Sequence, residues 1–250
     1  MSYNHKITDL KYRINRLIPK KICNKFISII NKYEDLTSKE SSYKYTDNII
    51  KEDNFKCLNL SSIHNPNEEI KEVLSLAKLY ISIATTNYVN YIKTKKISPT
   101  FSNELIKATY NIRILKYEVG NFIEDHSDVE QNIRASCTLN LNEDYEGGEF
   151  RFFDGKIKET FKTGDAMLFP AEPIWIHGTE PVTKGTRYKL YYIQNFLDYS
   201  TYKKLHYDVF KSKNIHLVPT SKSWDKTLLT GFKKCPDRSD LIPDYGPLKK

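Results

Sequence analysis

Hydrophobic residues in the first third of the chain recur at helical spacing. Between residues 8 and 33, Leu10, Ile14, Leu17, Ile22, Phe26, Ile29 and Ile30 keep that period with a break at Pro19, which predicts two short helices. Residues 36–64, rich in Ser, Lys, Tyr and Asn, show no such period and are expected to be an irregular connection. The stretch NPNEEIKEVLSLAKLYISIATTNYVNYI then gives a strong helical pattern, with Ile70, Val73, Leu74, Ala77, Ile81, Ala84 and Tyr88 on one apolar stripe. Asn65 is placed as its N-cap, Pro66 in its first turn, and Glu68 and Glu69 at its positive end. A stripe of this kind predicts a helix that supports a core and holds no site.

From Asn111 the pattern becomes short apolar runs broken by turn residues: NIRILKYEV, IRASCTLNLN, EFRFF, IKETF, AMLFP, PIWIHG and TRYKLYYIQNF. Short strands at regular spacing predict an all-β sandwich or barrel. Asn142–Gly148 and Phe153–Gly155 supply turns, and Gly147-Gly148 and Gly164-Asp165 stand out in a chain with only 9 glycines. After Phe196 the pattern fades into a Lys-, Tyr- and Pro-containing tail, with a helix expected near 199–211. The expected organisation is a helical support region over 1–110, a β core over 111–197 and a C-terminal extension over 198–250 that packs on the core.

A chain of 250 residues can bury one full core. Its 39% hydrophobic and 28% charged residues are ordinary for a soluble protein. The N-terminus lacks the apolar stretch of a signal peptide, and no segment approaches the roughly 18 consecutive apolar residues of a membrane span. Cys23, Cys57, Cys137 and Cys235 lie far apart with no C-x-x-C pair, so neither a disulfide scaffold nor a zinc site is expected, and a reduced cytoplasmic or nuclear setting is. Abundant Lys, Asn, Ile and Tyr, whose codons are A/T-rich, fit the genome of a giant virus or an A/T-rich protist and say little about function.

The net charge of +8 is unevenly placed: ten Lys/Arg against fourteen Asp/Glu leave residues 111–197 at −4, so the flanks hold +12. Basic flanks could attract nucleic acid or an acidic partner through their field. Solvated Lys-rich faces explain them as well.

Within the β region, EDHSD at 124–128 places one imidazole two residues before a carboxylate. With six histidines and 31 acidic residues in the chain, a His-x-Asp pair arises readily by chance. At a strand edge, however, residues i and i+2 project to one face, so His126 and Asp128 can converge. His177 in PIWIHG offers a second imidazole, and two histidines with one carboxylate are the facial triad of non-heme Fe(II) oxygenases. Arg187 lies ten residues after His177, beyond the turn Pro181–Gly185. That spacing predicts a returning strand beside the first, with a guanidinium suited to gripping a carboxylate in the same cavity.

RILKYEVGNFIEDHSD, followed in order by IRASCTLNLNEDYEGGEFRFF, KTGDAMLFP and HGTEPVTKGTRYKL, resembles the Fe(II)/2-oxoglutarate-dependent dioxygenases, prolyl 4-hydroxylase branch. The resemblance covers roughly 111–197 and implies a double-stranded β-helix (jelly-roll) core in an α+β, mainly β chain. It implies that His126, Asp128 and His177 are catalytic iron ligands, that Arg187 binds the distal carboxylate of 2-oxoglutarate and that the Tyr117 hydroxyl joins the cosubstrate pocket. Fe(II), 2-oxoglutarate and O2 are the implied cofactors, with ascorbate as an auxiliary reductant. The implied reaction hydroxylates a prolyl residue of a protein or peptide and releases succinate and CO2. Collagen-type relatives usually place Lys where Arg187 stands, while oxygen-sensing and many microbial relatives use Arg. Asn140 stands where some relatives have a cosubstrate-binding Tyr, and Lys189 shares a face with Arg187. Two other readings remain: a nucleic-acid-directed 2-oxoglutarate oxygenase, suggested by the basic flanks, and a non-catalytic jelly-roll binding protein, which loss of a triad member would signal.

Overall fold

A computed structural model describes residues 5–43, 50–97, 106–128, 133–197 and 215–217. Fourteen strands and two α-helices are described. The strands are β1 (Tyr12–Ile14), β2 (Ser38–Tyr43), β3 (Ile50–Asn59), β4 (Ile106–Tyr117), β5 (Ile123–His126), β6 (Ile133–Asn140) and β7 (Glu146–Gly147), then β8 (Phe150–Phe152), β9 (Ile157–Glu159), β10 (Ala166–Pro170), β11 (His177–Thr179), β12 (Val182–Lys184), β13 (Arg187–Leu197) and β14 (Ile215–Leu217). The helices are α1 (Lys20–Lys32) and α2 (Glu68–Thr94). The large sheet has the order β1-β10-β6-β13-β4-β3-β2, with β14 also on β4. A small sheet, β5-β11-β8-β9, faces it, and β12 pairs with β7.

The helices cover one face of the large sheet. Cys23, Phe26 and Ile30 of α1 and Leu74, Ala77, Ile81 and Tyr88 of α2 pack in one cluster with Ile112, Ile114, Ala135, Cys137, Leu139, Leu168, Leu190 and Tyr192. Each fully buried Ile or Leu there contributes about 1.5–3 kcal/mol. The helix α2 starts two residues later than expected: Asn67, not Asn65, caps it by accepting from the Ile70 amide at 3.0 Å. Asn65 instead takes a positive φ of 51° just ahead of Pro66.

Two expectations are corrected. Only one α-helix forms between residues 8 and 33, because Tyr12–Ile14 pairs with β10 as β1, and sheet pairing overrides a short helical period. Within residues 36–64, Ser38–Tyr43 and Ile50–Asn59 form β2 and β3, the end of β3 being buried on both sides. Phe55 and Cys57 point to the space between the sheets, whereas Leu58 and Leu60 point to the helices, so no polar alternation marks the strand. The helix expected near 199–211 lies outside the described residues. Cys23, Cys57 and Cys137 are buried and form no disulfide among the described residues; Cys235 is outside them. Among the described residues, no helix is long and apolar enough to cross a membrane.

The N-terminal segment is strapped to the large sheet at Gly164-Asp165. Ile18 N donates to Gly164 O at 3.1 Å, and a Cβ on Gly164 would stand 2.0 Å from Ile18 O, so only glycine admits this approach. The buried Asp165 carboxylate receives Arg13 Nη2 at 2.5 Å and the amides of Arg16 and Lys162, both at 2.9 Å.

Candidate metal centre

On β6 and β13 the side chains alternate between the helical face and the space between the sheets. Ala135, Cys137, Leu139, Leu190 and Tyr192 go to the helices. Ser136, Thr138, Asn140, Arg187, Lys189 and Tyr191 therefore take the inner face, and all six are buried. The small sheet opposes them with Phe150, Phe152 and His177, and the loop before β11 adds Trp175.

Strand pairing sets His126 of β5 directly opposite His177 of β11, with ring centroids 4.4 Å apart. Asp128, just beyond the end of β5, turns back under both rings. Its oxygens stand 3.4 Å from His126 Nε2 and 3.2 Å from His177 Nε2. The three ligand atoms lie within 4.8 Å of one another, the one such group of His, Cys, Asp and Glu among the described residues.

The hydrogen bonds behind the rings say what this cluster wants. His126 Nδ1 meets Glu124 O at 2.8 Å and His177 Nδ1 meets Trp175 O at 2.9 Å. A carbonyl only accepts, so each Nδ1 donates, and in the neutral imidazole Nε2 then presents a lone pair. Two lone pairs aimed at a carboxylate repel one another unless a cation lies among them. A divalent metal meets that demand, and the donor set of two imidazoles and one carboxylate fits Fe(II). Burial alone pushes the Asp128 carboxyl up; when the rings bear an Nε2 proton in place of a metal, the His177 charge and the hydrogen bonds from both histidines outweigh burial and hold it well below the usual carboxylate range. It is an anion ready to bind metal.

Asp128 is held from the large sheet as well. Ser136 Oγ donates to its Oδ2 at 2.5 Å, and the Tyr191 hydroxyl bonds the same carboxylate. Burial, reinforced by the Asp128 charge, pushes Tyr191 well above the ordinary tyrosine range, so its hydroxyl stays protonated and donates. From outside, Arg151 clamps the ligand strand: its Nε donates to Asp125 Oδ1 at 2.7 Å and its Nη1 to Glu180 Oε2 at 3.1 Å. Sequence reasoning passed over all three residues. The alternation of Ser136, Thr138 and Asn140 with Ala135, Cys137 and Leu139 was the available signal for the first, whereas a distant partner for the Asp125 carboxylate leaves no local trace. Replacing Arg151 with Met is expected to weaken metal binding about tenfold, as loss of an outer partner typically does, in an anaerobic Mn(II) titration. Unchanged affinity would show that β5 holds its geometry without the clamp.

Arg187 is fully buried on the inner face of β13, and all three of its guanidinium nitrogens lack a hydrogen-bond partner among the described residues. Its guanidinium lies 5.6 Å from the Tyr117 ring and 5.8 Å from that of Tyr145, and Gly148 leaves room for its stem. A Cβ on Gly148 would come within 3.2 Å of Arg187 Cδ, at a φ of 66° that already favours glycine. A buried guanidinium without a partner is costly, and a ligand carboxylate would satisfy it through two parallel bonds. Tyr117 pairs with Arg187 across β4 and β13 and is itself fully buried. One expectation needs correcting: β11 and β13 are not neighbours. His177 and Arg187 enter the cavity from opposite sheets, because β12 leaves to pair with β7 and β13 inserts between β6 and β4.

Residues 112–196 match the family described as the 2OG-Fe(II) oxygenase superfamily. A PKHD-type hydroxylase of Idiomarina loihiensis is 26% identical over 133 residues, which cover 50% of this chain and 60% of that one. The chain thus spans about three fifths of the length of this curated relative. A prolyl hydroxylase from Trichoplax adhaerens, solved in complex with a hypoxia inducible factor oxygen degradation domain peptide fragment, is similar with a TM-score of 0.53 and 16% identity, over 80% of this chain and 89% of that one. A Pseudomonas putida prolyl-4-hydroxylase is similar with a TM-score of 0.50 and 16% identity, over 77% and 96% of the two chains. At these identities the likeness is one of fold, and it bears out the jelly roll expected from the sequence.

Proposed function

We propose that this chain is an Fe(II)- and 2-oxoglutarate-dependent dioxygenase that hydroxylates a prolyl residue of a protein or peptide, releasing succinate and CO2, a reading supported by the match of residues 112–196 to the 2OG-Fe(II) oxygenase superfamily. The observation that carries the reading is the cluster His126, Asp128 and His177, with both imidazoles tethered to main-chain carbonyls so that Nε2 faces the carboxylate. His126, Asp128 and His177 would hold the iron, Arg187 the distal carboxylate of 2-oxoglutarate, and Tyr117 would wall the pocket beside it. When bound, iron and cosubstrate together supply the activation of oxygen and the oxidation of the substrate C–H bond, chemistry that no side chain provides. The chain positions and shields. Ser136 and Tyr191 fix the Asp128 carboxylate, Phe150 stacks on the His177 ring at 5.4 Å, and the buried aromatic wall keeps water from the reacting end. The prolyl acceptor is supported by the names of the relatives: a PKHD-type hydroxylase and two prolyl hydroxylases, one of them bound to a peptide. Ascorbate would act only as an auxiliary reductant.

The test is succinate release by the Fe(II)-loaded protein against a panel of Pro-containing peptides, with mass spectrometry of the products. Peptide-dependent succinate and a gain of one oxygen on proline are expected. Turnover stimulated by single-stranded RNA and by no peptide would instead place the basic flanks on a nucleic-acid substrate, and binding of 2-oxoglutarate without any turnover would leave a non-catalytic jelly roll.

A further inference from the structure

We propose that Lys189 is a second anchoring cation for the cosubstrate, sharing the distal carboxylate of 2-oxoglutarate with Arg187; the inference rests on the function proposed above. Lys189 is 3% exposed and follows Arg187 by two residues on β13, so both side chains take the inner face. Its ammonium lies 5.2 Å from the centroid of the Tyr117 ring, on which the Arg187 guanidinium also sits at 5.6 Å. It also lies 5.9 Å from the Phe150 ring, which stacks on the metal-side imidazole of His177. Neighbouring contacts thus link His177 to Phe150, Phe150 to Lys189, Lys189 to Tyr117 and Tyr117 to Arg187. A diacid that holds a metal at one end and Arg187 at the other would have the Lys189 ammonium as a neighbour.

An incoming carboxylate would meet the Arg187 guanidinium, whose nitrogens lack a hydrogen-bond partner among the described residues, with the Lys189 ammonium at the next inward position of the same strand. Asn140, which pairs with Lys189 across β6 and β13, is occupied elsewhere: its amide donates to Asn142 O at 2.5 Å and its Oδ1 accepts from Tyr145 at 3.3 Å. The cation, not the amide, is the group on this rung suited to grip an anion.

The experiment measures binding of 2-oxoglutarate and of 2-oxopentanoate, which keeps the keto-acid end and lacks the distal carboxylate, to the full chain loaded with Mn(II) under anaerobic conditions. Lys189→Met is expected to weaken 2-oxoglutarate about tenfold, as loss of a charge-assisted contact does, while leaving 2-oxopentanoate within roughly twofold. Lys189→Arg is expected to recover most of the loss, and in turnover the effect should fall on KM for 2-oxoglutarate and spare kcat. An equal loss for both keto acids would place Lys189 at the metal end and overturn the assignment. Unchanged affinity of Lys189→Met for 2-oxoglutarate overturns it too. Failure of the wild-type protein to bind 2-oxoglutarate would overturn the proposed function itself, and this inference with it.

Discussion

Replacing His126 or His177 with alanine abolishes Fe(II) binding and, with it, 2-oxoglutarate turnover: that is the expected result with the largest effect. Each imidazole is one of three candidate ligands, its Nε2 aimed by a bond from Nδ1 to the main chain, and among the described residues no other His, Cys, Asp or Glu joins the group to replace it. With one imidazole gone, the carboxylate and a single nitrogen cannot close a facial set, and affinity should fall beyond the range of an anaerobic Fe(II) titration. The two variants differ in what else they disturb. The His177 side chain is 4% exposed and packs on Phe150, Phe152 and Phe169, so its truncation also opens a cavity in the aromatic wall. The His126 side chain is 29% exposed, and its loss should leave thermal stability close to wild type. His126→Ala is therefore the cleaner test. A His126→Ala/His177→Ala double variant that kept full turnover would remove the cluster from the chemistry altogether.

The second large effect is expected at Arg187. Its replacement with alanine removes a buried, charge-assisted and forked contact of about 1.5–3 kcal/mol, so the affinity for 2-oxoglutarate should drop at least about tenfold while the metal still binds. Because the stem packs against Gly148 and the head against Tyr117 and Tyr145, alanine also leaves a void. Arg187→Met, which keeps most of the stem, separates lost packing from lost charge. Both variants should lose cosubstrate affinity, and only the alanine variant should lose several degrees of Tm. With Lys189 as a second anchor, the loss in either would be partial. Undiminished affinity in both would assign the cosubstrate carboxylate to other residues.

How much of this was legible in the sequence depended on where each residue's partners lie. The β13 strand and the five residues of β10 could be read from local runs, because a strand buried on one or both faces shows its burial in its own composition. The His-x-Asp pair could be read because its geometry is local: one strand end brings both residues to a point. The opposition of His126 and His177 could not, since it depends on β5 and β11 lying side by side with fifty residues between them. For the same reason β1 looked helical and β3 looked irregular. Each owes its form to a distant neighbour, β10 in one case and β4 in the other. The inner placement of Arg187 followed from strand alternation, but the sheet it belongs to did not. Ten residues suggested a hairpin, whereas the chain crosses the cavity to the opposite wall.

The strap at Gly164-Asp165 has a consequence that concerns other molecules more than this one. All five residues of β10 are buried, and β10 would form the rim of the large sheet if β1 were not beside it. A bare rim of apolar residues with unpaired amides and carbonyls is a template for a second chain, the step from which aggregation grows. Tyr12–Ile14 occupies that rim in register with Ala166–Leu168, and the glycine at 164 lets the segment behind it lie close enough to stay. The region that matches the oxygenase superfamily begins a hundred residues after this strand. The part of the chain that holds the candidate metal ligands therefore has this apolar rim covered by a part that lies outside the match.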